Sequence, residues 1–253
     1  MENTEDLKKE NFKSILLENI TTHLMLVFLI LYTCSVFYKY LLSIFLSFIS
    51  FIRFQQITLK FNIIDIVHFV LLVCLWKFYL FGKERNILDI SSLKIAKVVV
   101  FVISLFLGLG SFLLLIFMLV LVVYVKTYEV LFFFFKILNN IIVLFSLLKI
   151  SNFLEDLIKT YFIGVYKQFN IKTLRKWLYF AIATFIISGI GLLFLNWDEV
   201  LYKLMDYQYV YYIFRFYNFN KVINLFDSFI AAATLFTLAK FLKKLDNEFI
   251  SLN

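Results

Sequence analysis

Residues 95–124 read IAKVVVFVISLFLGLGSFLLLIFMLVLVVY, a run of thirty positions whose only charge is Lys97. Nothing in it alternates with the period of a strand, and it is longer than the roughly 20 apolar residues that carry a helix across a bilayer. Five further stretches have the same character: 24–46, 62–81, 129–150, 177–195 and 222–242. Runs this long are far beyond strand length, so helices are expected. The first run extends toward Phe54 and the third is long enough to require tilt or an extension beyond the bilayer.

Composition agrees with that stretch. Hydrophobic residues make up 63% of the 253 residues, against roughly 45–50% in soluble domains. Phenylalanine occurs 34 times, glycine 6 times and proline not once, and the mean hydropathy is +0.91. A water-soluble fold of this size cannot hide that much apolar surface. Soluble enzymes, disordered tails and disulfide-stapled modules are excluded on this reading. The fold class expected is all-α: a polytopic membrane protein with six transmembrane helices arranged as three hairpins. Two regions follow, an amphipathic segment at 1–22 and a membrane domain at 23–253. The polar, acidic opening residues do not resemble a signal peptide, so the first apolar run is expected to stay as an anchor.

Charge sets the orientation. With the N-terminus in the cytoplasm, the inner side carries Lys8, Lys9, Lys13, Lys77, Lys83, Arg85, Lys94, Lys97, Lys149, Lys159, Lys167, Lys172, Arg175, Lys176, Lys240, Lys243 and Lys244. The outer side carries Arg53, Lys60, Lys126, Lys203, Arg215 and Lys221. This positive-inside bias places both termini in the cytoplasm. The net charge of +8 is then topological, plus contact with anionic lipid, and gives little support to nucleic-acid binding.

Short echoes recur. Leu72-Val73-Cys74-Leu75-Trp76-Lys77-Phe78 resembles Leu144-Phe145-Ser146-Leu147-Leu148-Lys149-Ile150 and Leu235-Phe236-Thr237-Leu238-Ala239-Lys240-Phe241. Each closes an even-numbered span with its lysine toward the cytoplasm. Gly108-Leu109-Gly110 parallels Gly189-Ile190-Gly191 in the odd spans, where close helix approach is expected. Duplication and the chance matches of a restricted alphabet account for these echoes equally well. Residues 5–22 are expected to lie along the cytoplasmic interface, and the tyrosine-rich stretch from Asn196 to Asn220 to form an interfacial or re-entrant segment.

Catalytic inventories fail. The only histidines are His23 and His68; Cys34 and Cys74 sit in apolar runs. There is no metal-spaced pair, no nucleophile elbow and no phosphate-cradling glycine loop. Glu155-Asp156 is a paired acid near a span end, with no histidine beside it. No enzyme activity, metal or cofactor is expected. What remains are polar groups at membrane depth, whose cost makes each a functional candidate. Asp65 and His68 share a face of span two, Lys136, Asn139 and Asn140 fall in span four, and Asn224 and Asp227 in span six. They would form a polar layer with Lys136 opposing Asp65 or Asp227, or else serve interhelical packing with a snorkelling lysine. Ser35, Lys39, Ser43, Ser47 and Ser50 recur at four, four, four and three, a stripe that lines a cavity or packs against another helix.

Gly164-Val165-Tyr166, Asn170 and Leu174-Arg175-Lys176 resemble a loop of small four-span bacterial membrane proteins of unknown function, over residues 95–253 and without that loop's proline. The resemblance implies no biochemistry. The layout is also similar to the permease half of ATP-binding-cassette (ABC) exporters: an interfacial helix, six spans, both termini inside and an aromatic outer segment. Three functions are open: a membrane subunit of a transport or export complex partnered by a cytoplasmic ATPase, a homo-oligomeric channel or membrane-permeabilising effector, and a scaffold or sensor that holds a soluble partner on basic loops. The proline-free, Lys/Ile/Phe/Asn-rich alphabet points to an AT-rich genome and a bacterial inner membrane.

Overall fold

The structure is a computed structural model. It describes the backbone of residues 2–54, 63–85, 88–124, 127–163, 170–194 and 207–250. Within these, side chains are described except at 2–9, 39–40, 42–43, 45–54, 63–65, 117, 120–124, 127–133, 135–136, 162–163, 191–194, 207–224 and 250.

Among the described residues seven helices follow one another: α1 (Glu2–Ile20), α2 (His23–Phe54), α3 (Ile63–Arg85), α4 (Ile90–Tyr124), α5 (Thr127–Ile163), α6 (Ile171–Phe194) and α7 (Tyr207–Ile250). Their ends are written locally. The hydroxyls of Thr21 and Thr22 donate to the carbonyls of Glu18 and Asn19, closing α1, and α2 departs at 53°. Asp89 caps α4 by accepting from the Ser92 amide at 3.3 Å, and Asn170 caps α6 by accepting from Thr173 at 3.1 Å.

Among the described residues five helices are long and apolar enough to cross a membrane, within Ile66–Arg85, Ile90–Ile116, Ile137–Tyr161, Ile171–Ile190 and Leu225–Phe249. The bent pair Glu10–Ile20 and His23–Tyr38 makes a sixth if it counts as one span. The described residues are therefore all-helical and compatible with a multi-pass membrane protein. Several helices outrun the expected spans. At 37 and 44 residues, α5 and α7 reach about 55 and 66 Å, well past a hydrocarbon core of about 30 Å. The stretches between expected spans at 82–94 and 151–176 are accordingly helical over 82–85, 90–94, 151–163 and 171–176. Within the tyrosine-rich stretch, residues 207–220 belong to unbroken α7, which differs from a separate re-entrant segment; residues 195–206 lie outside the described residues.

From α2 to α7 each helix packs against the next in sequence, and α7 returns against α2, which it covers more extensively than α3 does. The six long helices therefore form a closed up-and-down ring. Lys97 on Glu155, Gly189 on Ser228 and Arg175 on Asp246 show the antiparallel register of successive helices. At one end α1 lies across α3, α5 and α7. Phe12, Leu16 and Ile20 are buried there with Leu29, Leu178, Leu242, Leu245 and Phe249 in a dry apolar cluster. The apolar residues Phe12, Leu16 and Ile20 of α1 are thus covered by the helix ends they pack against.

Candidate functional site: the basic boundary and the α1 end

Each ring helix presents one exposed stripe at helical spacing. On α7 it runs Phe226, Phe229, Ala233, Phe236, Lys240, Lys243 and Asn247. On α6 it runs from Ile190 through Ile187, Ala183, Phe180 and Tyr179 to Lys176 and Lys172. Each stripe is apolar along most of its length and turns polar toward the α1 end, to a lysine on α3 through α7 and to His23 on α2, with Leu80 still exposed beyond Lys77. The change falls between Val27 and His23 on α2, Val73 and Lys77 on α3, Ile95 and Lys94 on α4, and Phe145 and Lys149 on α5. On α6 it falls between Tyr179 and Lys176, and on α7 between Phe236 and Lys240. The three lysines of the echoed segments, Lys77, Lys149 and Lys240, are the boundary residues of α3, α5 and α7.

Such a change from large exposed apolar side chains to lysine is what a helix shows where hydrocarbon gives way to headgroups. Two of these cations lie over aromatic rings: Lys240 Nζ stands 4.7 Å from the Phe236 centroid, and Lys77 Nζ 5.4 Å from Phe81. Past the boundary, polar links tie neighbouring helices together. Lys77 pairs with Asp89 at 3.4 Å, Lys97 with Glu155 at 2.9 Å, and Arg175 with Asp246 at 3.8 Å. Asn19 of α1, fully buried, donates to Glu248 of α7, and Lys13 lies over Tyr161 of α5. Glu155 of the paired acids is held between Lys97 and Lys159, a bracing role.

Asp89 is the group whose chemistry is most altered there. Burial acts to raise its pKa, but the Ser91 and Ser92 hydroxyls, the Ser92 amide and Lys77 outweigh burial and bring it down to about 2.

The polar groups singled out within the spans are distributed differently. His68 Nδ1 is 2.8 Å from the Tyr32 hydroxyl, joining α3 to α2, and Trp76 Nε1 of α3 donates to the Thr33 hydroxyl of α2 at 2.9 Å. Asp227 of α7 is close enough to Tyr38 of α2 to act on it electrostatically. Asn139 and Asn140 are half-buried on α5, and Asn139 Oδ1 is buried without a hydrogen-bond partner among the described residues. The side chains of Asp65, Lys136 and Asn224 lie outside the described residues. Because α3, α5 and α7 alternate with other helices around the ring, a layer built from them would have to meet across its interior. Of the stripe on α2, Ser35 is half-buried; the side chains of Lys39, Ser43, Ser47 and Ser50 lie outside the described residues, on a helix unbroken to Phe54. Ser104, Ser111, Ser146 and Thr234 each donate to the carbonyl four residues back, satisfying their hydroxyls within the helix.

The glycine pairs are not equivalent. A Cβ on Gly189 would meet Ser228 Cβ at 3.0 Å, so α6 and α7 approach closely there. Gly108 has only Leu144 at 3.8 Å, and Gly110 has nothing within 4 Å. The expected close approach holds at Gly189 and fails at Gly110, where an added Cβ meets no described atom within 4 Å; Gly191 lies outside the residues whose side chains are described.

Sequence reasoning missed the Tyr32–His68 and Trp76–Thr33 links and the Arg175–Asp246 pair, whose partners are remote in sequence. Asp89 followed by Ser92 was a legible capping signal. Among the described residues no three of His, Cys, Asp and Glu come together as a metal would need. Compared with known proteins, the chain matches no family model, no curated protein and no solved structure.

Proposed function

We propose that this chain is a non-enzymatic, multi-pass subunit of a transport or export assembly in a cell membrane, with both termini in the cytoplasm. The α1 end carries the reading. Beyond Lys149, α5 runs on for about 20 Å, and α1, the first turns of α4 and α6 and the last turns of α7 pack with it into one helical layer. Such a layer is a docking platform for a soluble partner, where a protein that works alone needs only short loops. The basic boundary supports its cytoplasmic placement. A pore down the middle of a single ring is opposed by the dry cluster of Phe12, Leu16, Ile20, Leu178 and Leu242.

The test is gentle extraction of the tagged full chain from its host membrane, followed by native mass spectrometry. A fixed stoichiometry with a soluble ATPase is expected, lost when Lys83, Lys94 and Lys159 are changed to glutamate. Transport by the chain alone in proteoliposomes would overturn the reading.

A further inference from the structure

Four exposed lysines gather at the seam between α6 and α7. The Arg175–Asp246 pair sets the register of these two helices. Lys176 follows Arg175 directly and Lys243 precedes Asp246 by less than a turn, so both stand near the level of that pair. Lys240 lies one turn nearer the apolar belt and Lys172 one turn farther from it. The acids of these turns face elsewhere. Asp246 is 8% exposed and holds Arg175, while Glu248 accepts from Asn19 and pairs with Lys244 at 3.6 Å. Among the described residues, no acid is exposed between Asn170 and Phe180 or between Phe236 and Phe249.

Immediately toward the belt, the same two stripes turn apolar. Tyr179, Phe180 and Phe236 are 41%, 60% and 42% exposed. Lys240 bridges the two regions, its ammonium over the Phe236 ring. A cationic patch with an apolar strip one turn away matches one kind of molecule in both halves: an acidic phosphate headgroup against the lysines, and an acyl chain along Phe180 and Phe236. An acidic protein surface would satisfy the lysines and leave the aromatics unmatched.

We infer that the α6–α7 seam binds an anionic phospholipid through Lys172, Lys176, Lys240 and Lys243. The inference rests on the membrane-embedded reading and is independent of the transport role. Electrostatic attraction of clustered lysines to anionic headgroups supplies the preference, and the aromatic strip supplies the position.

The full chain, purified in detergent, is titrated with phosphatidylglycerol and with phosphatidylcholine, and retained lipid is read by native mass spectrometry. Wild type is expected to retain phosphatidylglycerol at least tenfold better than phosphatidylcholine. The variant K172Q/K176Q/K240Q/K243Q is expected to lose that preference. K83Q/R85Q/K94Q/K149Q removes the same charge on α3, α4 and α5 and is expected to keep the preference within twofold. Equal retention of the two lipids by wild type overturns the site, and so does an equal loss in both quadruple variants, which would mean diffuse charge. The double variants K172Q/K176Q and K240Q/K243Q, each expected to lose part of the preference, serve if the quadruple does not fold. Vesicle flotation of wild type separates the two claims: no insertion sinks the membrane reading, whereas insertion without preference sinks only the lipid site.

Discussion

Phe12 of α1 and Phe249 of α7 stack face to face, with ring centroids 5.3 Å apart and planes 9° from parallel, and both are 2% exposed. This pair fastens the first helix to the last one across the end of the ring. Truncating Phe12 to alanine leaves a cavity bounded by Phe249 and the apolar cluster, at a cost of about 3–5 kcal/mol. Denaturant titration in micelles is expected to show that loss, together with faster proteolysis at Thr21–Thr22 as α1 detaches. Unchanged stability would mean that α1 is not held by this contact.

Three of the four described glycines, Gly189, Gly110 and Gly82, separate by environment. Gly189→Ala forces a methyl into Ser228 Cβ at 3.0 Å and is expected to destabilise by about 1–3 kcal/mol. Gly110→Ala meets nothing within 4 Å and gains helix propensity, so its melting midpoint is expected to hold or rise. Gly82→Leu drives a side chain against Ile20 Cγ2, 3.3 Å from the first added carbon, and is expected to loosen α1 in the same way as Phe12→Ala.

Acid weakens the α4 cap. The folded pKa of Asp89, about 2, lies below the ordinary carboxylate value, so its contribution is complete above that ordinary value and fades as pH falls toward 2. Wild type is expected to lose stability through that window. Asp89→Ala is expected to lose about 1–2 kcal/mol at neutral pH and to show a flatter acid limb in thermal melts.

The boundary itself is open to chemical mapping. Cys34 is exposed on the apolar stripe of α2, and Cys74 is buried. In intact membranes neither is expected to react with a charged maleimide, while Cys34 is expected to react with a lipid-soluble one. On a cysteine-free background, Lys149→Cys is expected to label with the charged reagent and Phe145→Cys to resist it. Equal labelling at both positions would remove the boundary from α5.

Much of the architecture is legible in single residues. Val98 through Val123 can only be a helix in an apolar surround, and the lysine of each echoed segment stands where the exposed stripe changes character. Helix ends were less legible. Residues 151–163 read as a charged loop because Lys159, Glu155 and Asn152 interrupt the apolar run; they are helical because Leu157 and Thr160 are buried by neighbouring helices. The apolar positions of residues 12–20 suggested an interfacial anchor, since hydropathy records that a face must be covered and is silent on whether lipid or protein covers it.

The sequence by itself determined the helical class, the six apolar stretches and the side on which basic residues accumulate, because these follow from local composition and the cost of an unsatisfied backbone in hydrocarbon. Only the tertiary structure decided that the helices close into a ring with α7 against α2, that α1 seals one end, that Gly189 is crowded and Gly110 open, and that Asp246 turns inward while its neighbouring lysines stay outside. Each of those depends on which residues meet across long separations in sequence, and van der Waals contact between remote side chains leaves no trace in periodicity or charge.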